Sequence, residues 1–103
     1  MKMLYVTLNT QDEARRIGRT LLERKLCNCV NWFPIPCMYN WEGKIEEEPE
    51  VVLIVKTIAE KYDEIEQIIK SEISYTNCIS EINVDRNTPE FIKWLAAVVE
   101  SKE

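Results

Sequence analysis

The sequence contains no histidine, only two glycines, and no apolar run approaching the length of a membrane span. Each absence removes a class of function. Without imidazole, a cysteine or serine nucleophile has no ordinary general base, and a common nitrogen ligand for transition metals is missing. Two glycines cannot build a glycine-rich phosphate loop. Basic residues are outnumbered, with 13 Lys and Arg against 18 Asp and Glu for a net charge of −5. Nucleic-acid domains usually carry a basic face, so this balance argues against one. Repeats, low-complexity tracts and linker-like stretches are also missing, and residues 1–103 read as one domain. Residues 1–6 reach Asn9 and Thr10 before they gather the apolar length of a signal peptide, which points to a cytoplasmic protein. In that reducing compartment Cys27, Cys29, Cys37 and Cys78 are expected as thiols, either core filler or soft ligands.

What the chain does have is a long β-hairpin over residues 29–57. Its first arm alternates large apolar side chains with Pro34 and Pro36, it turns at Glu42-Gly43, and its second arm returns through Val51 and Val55 to Lys56-Thr57. Strands usually run about five or six residues. A ribbon this long overruns a small domain and exposes edges and rings unless another chain covers them. A chain of this size buries only roughly two-thirds of its unfolded surface, so burial between subunits would add stability. The hairpin therefore reads first as an assembly device.

The other elements follow from periodicity. Residues 3–8 alternate and suit a first strand. Thr10 and Glu13 form a capping box for a helix whose apolar stripe is Ala14, Ile17, Leu21 and Leu22, ending near Lys25 or Leu26. Thr57 and Glu60 predict a second capping box, opening a helix with Ala59, Tyr62, Ile65, Ile68 and Ile69 inward and an end near Glu72. Residues 78–84 predict a strand with Ser80, Ile82 and Val84 on one face and Ile79, Glu81 and Asn83 on the other. Thr88-Pro89 starts a last helix striped by Phe91, Trp94, Leu95, Val98 and Val99. The order is βαββαβ plus a C-terminal helix, which predicts an α+β, ferredoxin-like sandwich with two helices on one face of an antiparallel four-stranded sheet.

Cys29-Val30-Asn31, Trp41-Glu42-Gly43-Lys44-Ile45, Glu50, Lys56-Thr57, Tyr75 and Trp94 stand in the order and at nearly the spacing of the CutA family of divalent-cation tolerance proteins. The resemblance covers nearly the whole chain and rests on the combination rather than on any one piece. It implies a ferredoxin-like subunit assembled as a tight homotrimer through extended strands, similar in shape to PII signalling proteins, and a link to copper and other divalent metals. The chain departs from the family at Cys27, where alanine is expected, and in one longer stretch. Where the family has His-Pro-Tyr it carries Ile73-Ser74-Tyr75, and Thr76-Asn77-Cys78-Ile79 replaces the following Pro-Glu-Ile. Of the metal ligands the resemblance implies, Cys29 carries over.

Each candidate residue has two readings. Cys27 and Cys29, if extended, place two sulfurs on one side of a strand at about 6 to 7 Å between Cα atoms, a soft donor pair for Cu(I). The alternative is that the cysteines are small hydrophobes in or near the core, with Cys27 at a tolerant, partly buried turn position. Trp32, Tyr39 and Trp41 fit a subunit interface better than a ligand cleft, since aromatic residues concentrate at interfaces. Lys56, Glu50 and Tyr75 either converge on a small anion or metabolite between subunits, or form a strand-to-strand ion pair plus a tyrosine bonded to backbone. Glu46-Glu47-Glu48-Pro49-Glu50 reads as a solvated edge that blocks further strand pairing. Cys78, three residues beyond Tyr75, is a candidate substitute for the missing imidazole.

Two other classes fail on their own motifs. An RNA-recognition domain shares the element order, but Val51-Val52-Leu53-Ile54-Val55 offers no ring for base stacking and no basic pair. Acylphosphatase-like catalysis would need an arginine after the first strand, where Asn9-Thr10-Gln11-Asp12 stands. The sequence thus predicts a non-enzymatic, cytoplasmic homotrimer with no nucleic-acid or membrane partner, holding Cu(I) or a divalent metal weakly at Cys29. The alternative is a PII-like scaffold that takes a small metabolite in its inter-subunit clefts.

Overall fold

The computed structural model describes residues 1–99. Its elements run β1 (Lys2–Leu8), α1 (Gln11–Glu23), β2 (Cys29–Trp41), β3 (Lys44–Thr57), a 3₁₀ turn (Ala59–Lys61), α2 (Tyr62–Glu72), β4 (Ile79–Asn83) and α3 (Pro89–Ala96). The four strands form one antiparallel sheet in the order β2-β3-β1-β4. The ferredoxin-like arrangement expected from the element order is the one observed.

Local chemistry explains the boundaries. The Thr10 side chain accepts from the Glu13 N–H, and the Glu13 carboxylate accepts from the Thr10 N–H, so the capping box closes. α1 ends in a Schellman motif: Lys25 takes φ 58°, its N–H donates to the Leu22 carbonyl, and the Leu26 N–H reaches back to Leu21. The second capping box does not form. Ile58 caps the 3₁₀ turn without a side-chain bond, and α2 starts at Tyr62. Thr57 stays in β3, where its buried hydroxyl donates to the Leu26 carbonyl at 2.5 Å. That bond ties the end of the hairpin to the α1–β2 connection, an arrangement spacing alone does not reveal. Leu22 is exposed rather than inward, and α3 ends at Ala96, before Val98 and Val99.

Core packing divides the sheet faces. Leu4, Val6 and Leu8 of β1 and Val51, Leu53 and Val55 of β3 are buried with Ile17 and Leu21 of α1 and Ile65 and Ile69 of α2. Gly18 lets α1 approach β2, since a Cβ there would stand 3.0 Å from the Val30 Cγ2 atom. Val52, Ile54 and Lys56 point to the opposite face, because neighbours in a strand alternate. α3 lies on that second face: Lys56 Nζ is 5.6 Å from the Phe91 ring centroid and the Asn28 amide donates to the Trp94 carbonyl.

The hairpin outruns the body. β1 pairs with β3 only over residues 51–57, while β2 and β3 stay paired to Trp41 and Lys44. Glu42 (φ 49°) and Gly43 (φ 79°) make the two-residue turn with both residues left-handed, the geometry that suits strand twist. Residues 35–41 and 44–50 therefore form a two-stranded arm that stretches the molecule to 46 Å.

Candidate functional site

The arm meets the body at a cavity of about 620 Å³. Its walls come from the end of β1, from the paired arms of the hairpin and from the α2–β4 connection, with Asn9, Cys37, Tyr39, Glu48, Glu50 and Tyr75 among the polar residues. Register explains the hairpin side. Cys37 sits directly opposite Glu48 and Ile35 opposite Glu50, so Glu48, Glu50, Cys37 and Tyr39 share one face.

On the body side, the Tyr75 hydroxyl donates to Glu13 Oε1 at 2.7 Å and accepts from the Asn9 N–H at 3.0 Å. The same Glu13 oxygen accepts from Asn9 and Thr10. The cap of α1 thus fixes the tyrosine at the cavity rim. The Asn77 side-chain amide donates to the Thr7 carbonyl, and the Cys78 N–H to the Thr7 hydroxyl. These bonds fasten the α2–β4 connection to the end of β1.

The cavity favours protonated side chains. Partial burial, then Glu13, pushes the Tyr75 hydroxyl well above its ordinary value, with Glu50 adding to the effect. Partial burial, then Glu50, pushes the Cys37 thiol up. The hydrogen bond from Tyr39 to Glu48, followed by desolvation, pushes the Tyr39 hydroxyl up to about 12.

The structure sorts the candidates differently from the sequence. Glu50 and Tyr75 share the cavity, but Lys56 lies six residues from Glu50 along β3, roughly 20 Å away by strand rise. Lys56 instead packs between Phe91 and Cys29, with Nζ 3.7 Å from the Cys29 sulfur. Cys27 is fully buried in the core, not partly buried, which makes it core filler rather than an accessible ligand. Cys78 stands beside Thr7, at the other end of β1 from Met3, which pairs with the Lys56 opposite Cys29; within one chain it does not reach Cys29. Trp32 is half-buried against the core under the Arg15 guanidinium, 5.5 Å from its ring centroid. Trp41 is 58% exposed at the hairpin tip. Among the described residues no three His, Cys, Asp or Glu side chains cluster in a way that would hold a metal ion. A single sulfur facing an ammonium does not fit a divalent-metal centre within one subunit.

Sequence reasoning missed Asn9, Glu13 and Cys37 as parts of the site. Cys37 was accessible in principle, since fixing the turn at Glu42-Gly43 sets the register that places it opposite Glu48.

Comparison with known proteins decides the family. The family of CutA1 divalent ion tolerance proteins matches residues 2–98. The chain belongs to the CutA family. It is 45% identical over 98 residues to the divalent-cation tolerance protein CutA of Archaeoglobus fulgidus, covering 94% of this chain and 96% of that one. It is 40% identical to the Thermococcus kodakarensis CutA, covering 94% of each. Among solved structures, the A. fulgidus protein, described as periplasmic, superposes with a TM-score of 0.92 at 44% identity, covering 97% of this chain and all of that one. Pyrococcus horikoshii CutA1 superposes with a TM-score of 0.90 at 32% identity, covering 98% and 100%. Within the CutA fold, the cavity lies where the long hairpin leaves the body. No helix among the described residues is long and apolar enough to cross a membrane.

Proposed function

We propose that this chain is a non-enzymatic divalent-cation tolerance protein that works as a homotrimer in the cytoplasm, joined through the overhanging arm. The observation that carries the reading is the arm itself. Met38, Trp41 and Ile45 are 63%, 58% and 71% exposed on a ribbon with no third strand beside it among the described residues. Apolar surface of that kind marks a protein contact, and Tyr39 and Trp41, with Trp32 nearer the body, are the aromatic anchors. The four free thiols suit a reducing compartment. Metal binding in this reading rests on Cys29, whose sulfur takes Cu(I) weakly in competition with its contact to the Lys56 ammonium.

Native mass spectrometry of the reduced protein, with and without stoichiometric Cu(I), tests both parts. A trimer that takes up copper, and loses it in Cys29→Ser without losing the trimer, is the expected result. A monomer would overturn the assembly, and copper uptake unchanged in Cys29→Ser would overturn the sulfur site. The cavity favours a second reading, a scaffold trimer that holds a small metabolite where Glu50 and Tyr75 meet. Its volume lies in the range of small-molecule sites.

A further inference from the structure

We infer that Lys56 is a site of acylation by thioesters, with the Cys29 thiol taking the acyl group first and passing it to the Lys56 amine. The inference goes beyond the copper and metabolite readings and rests on neither. Three observations converge. First, the pair is set by the backbone. Cys29 and Lys56 stand directly opposite each other in the β2–β3 register, and side chains so placed are neighbours on one face. Lys56 Nζ lies 3.7 Å from the Cys29 sulfur, and both residues are half-buried. Second, the surroundings leave the ammonium facing the thiol. The row across the sheet runs Cys29, Lys56, Met3 and Ile82, without a carboxylate, and the Phe91 ring packs against Nζ from α3 at 5.6 Å. A thiolate is the nucleophilic form of cysteine, and an adjacent ammonium is its counter-ion. Third, the separation suits transfer. Reacting atoms in a near-attack arrangement stand about 3 to 3.5 Å apart. An amine approaching a thioester carbonyl carbon obliquely at that range lies roughly 4 Å from the sulfur bonded to it.

The steps balance without an oxidant or an external base. The Cys29 thiolate attacks the carbonyl carbon of the donor and expels the donor's thiolate, which takes a proton from the Lys56 ammonium and leaves as a thiol. Lys56, now a neutral amine, attacks the new thioester. The C–S bond to Cys29 breaks, an amide C–N bond forms, and the proton lost from nitrogen returns to the Cys29 sulfur. Each chain is modified once, so this is self-acylation rather than turnover. The acylated lysine is uncharged, and the ammonium beside Cys29 is gone.

The test is site-resolved peptide mass spectrometry of the full, assembled, metal-free protein incubated with acetyl coenzyme A. Lys70, which faces Glu66, is the internal reference. The expected result is acetylation of Lys56 at least tenfold faster than of Lys70, falling to the Lys70 rate in Cys29→Ser and unchanged in Cys78→Ser. Lys56→Arg should stop the relay midway and leave a hydroxylamine-labile acetyl group on Cys29. Equal rates at Lys56 and Lys70 in the unaltered protein would overturn the site. A fast Lys56 rate that survives Cys29→Ser would overturn the relay. The succinimidyl ester of acetic acid acylates amines directly, so its reaction with Lys56 should persist in Cys29→Ser. Loss of that reaction would move the decision to Lys56→Arg, in which a Cys29 that stays free of acetyl overturns the relay. Native mass spectrometry of each variant reports assembly separately, so a lost trimer is not mistaken for a failed transfer.

Discussion

The two halves of β3 make the sharpest comparison in the molecule. Val55 and Ile45 are both β-branched aliphatic residues on one continuous strand, on the same face, yet Val55 is fully buried and Ile45 is 71% exposed. What differs is the neighbourhood. Beside residues 51–57 lies β1, with α1 and α2 packed over that face; beside residues 44–50 the described residues place only β2. Burial in this fold is set by how far the sheet extends, not by the apolarity of the strand. The outer half is therefore an arm whose composition makes sense only against a surface from outside the subunit.

Substitutions in the body should be costly at every protein concentration. Leu53→Ala empties a fully buried position between β1 and β2 and should lower unfolding free energy by about 3 kcal/mol. Chemical denaturation at two protein concentrations should give the same loss. The same burial acts on Cys27, whose thiol is pushed from its ordinary value near 9 up to about 12. The folded state therefore holds this proton more tightly than the unfolded chain. Stability from this group is intact below about pH 9 and declines as pH climbs toward about 12. Denaturation followed from pH 8 to 11 should show that decline, and Cys27→Ala should flatten it.

The arm should behave in the opposite way. Trp41→Ala removes an exposed ring and leaves the core untouched, so in an assembled protein its cost is about 2 kcal/mol, carried by subunit contacts. That loss should depend on protein concentration, because dissociation is part of the measured equilibrium. A melting temperature that falls equally at every concentration would place the ring in contacts within its own chain and remove the basis of the comparison.

The features that were legible in the sequence are local. Thr10 and Glu13, the Glu42-Gly43 turn and Pro89 at the start of α3 each sit within four residues of what they control. Tertiary pairings were not legible. Thr57 looked like a cap because Glu60 stood three residues on, but its hydroxyl is used 31 residues away at Leu26. Tyr75 meets Glu13 across 62 residues, and nothing near either residue signals it. Within one chain Lys56 and Glu50 stand six residues apart along β3, so their expected convergence concerns residues of different subunits. The placement of α3 on the second sheet face comes from packing of Phe91 against Lys56, which periodicity does not specify.

The smallest effect belongs to the turn, where it isolates the arm from the body. Gly43 has φ 79°, and a Cβ built there meets nothing within 4 Å. Gly43→Ala thus carries a purely conformational cost, about 1 kcal/mol for a left-handed L-residue. Gly43→Asn should cost less, since asparagine visits that region more readily. Because the β1–β3 ladder ends at Leu8–Val51, the strain should loosen the outer pairs from Met38–Glu47 to Trp41–Lys44 and leave that ladder unchanged. Amide hydrogen exchange reads both regions in one experiment. Faster exchange confined to the outer pairs would establish the arm as a separately opening unit. Faster exchange spreading into residues 51–57 would mean that arm and body open together, and that the boundary at Val51 marks a change in burial but not in cooperativity.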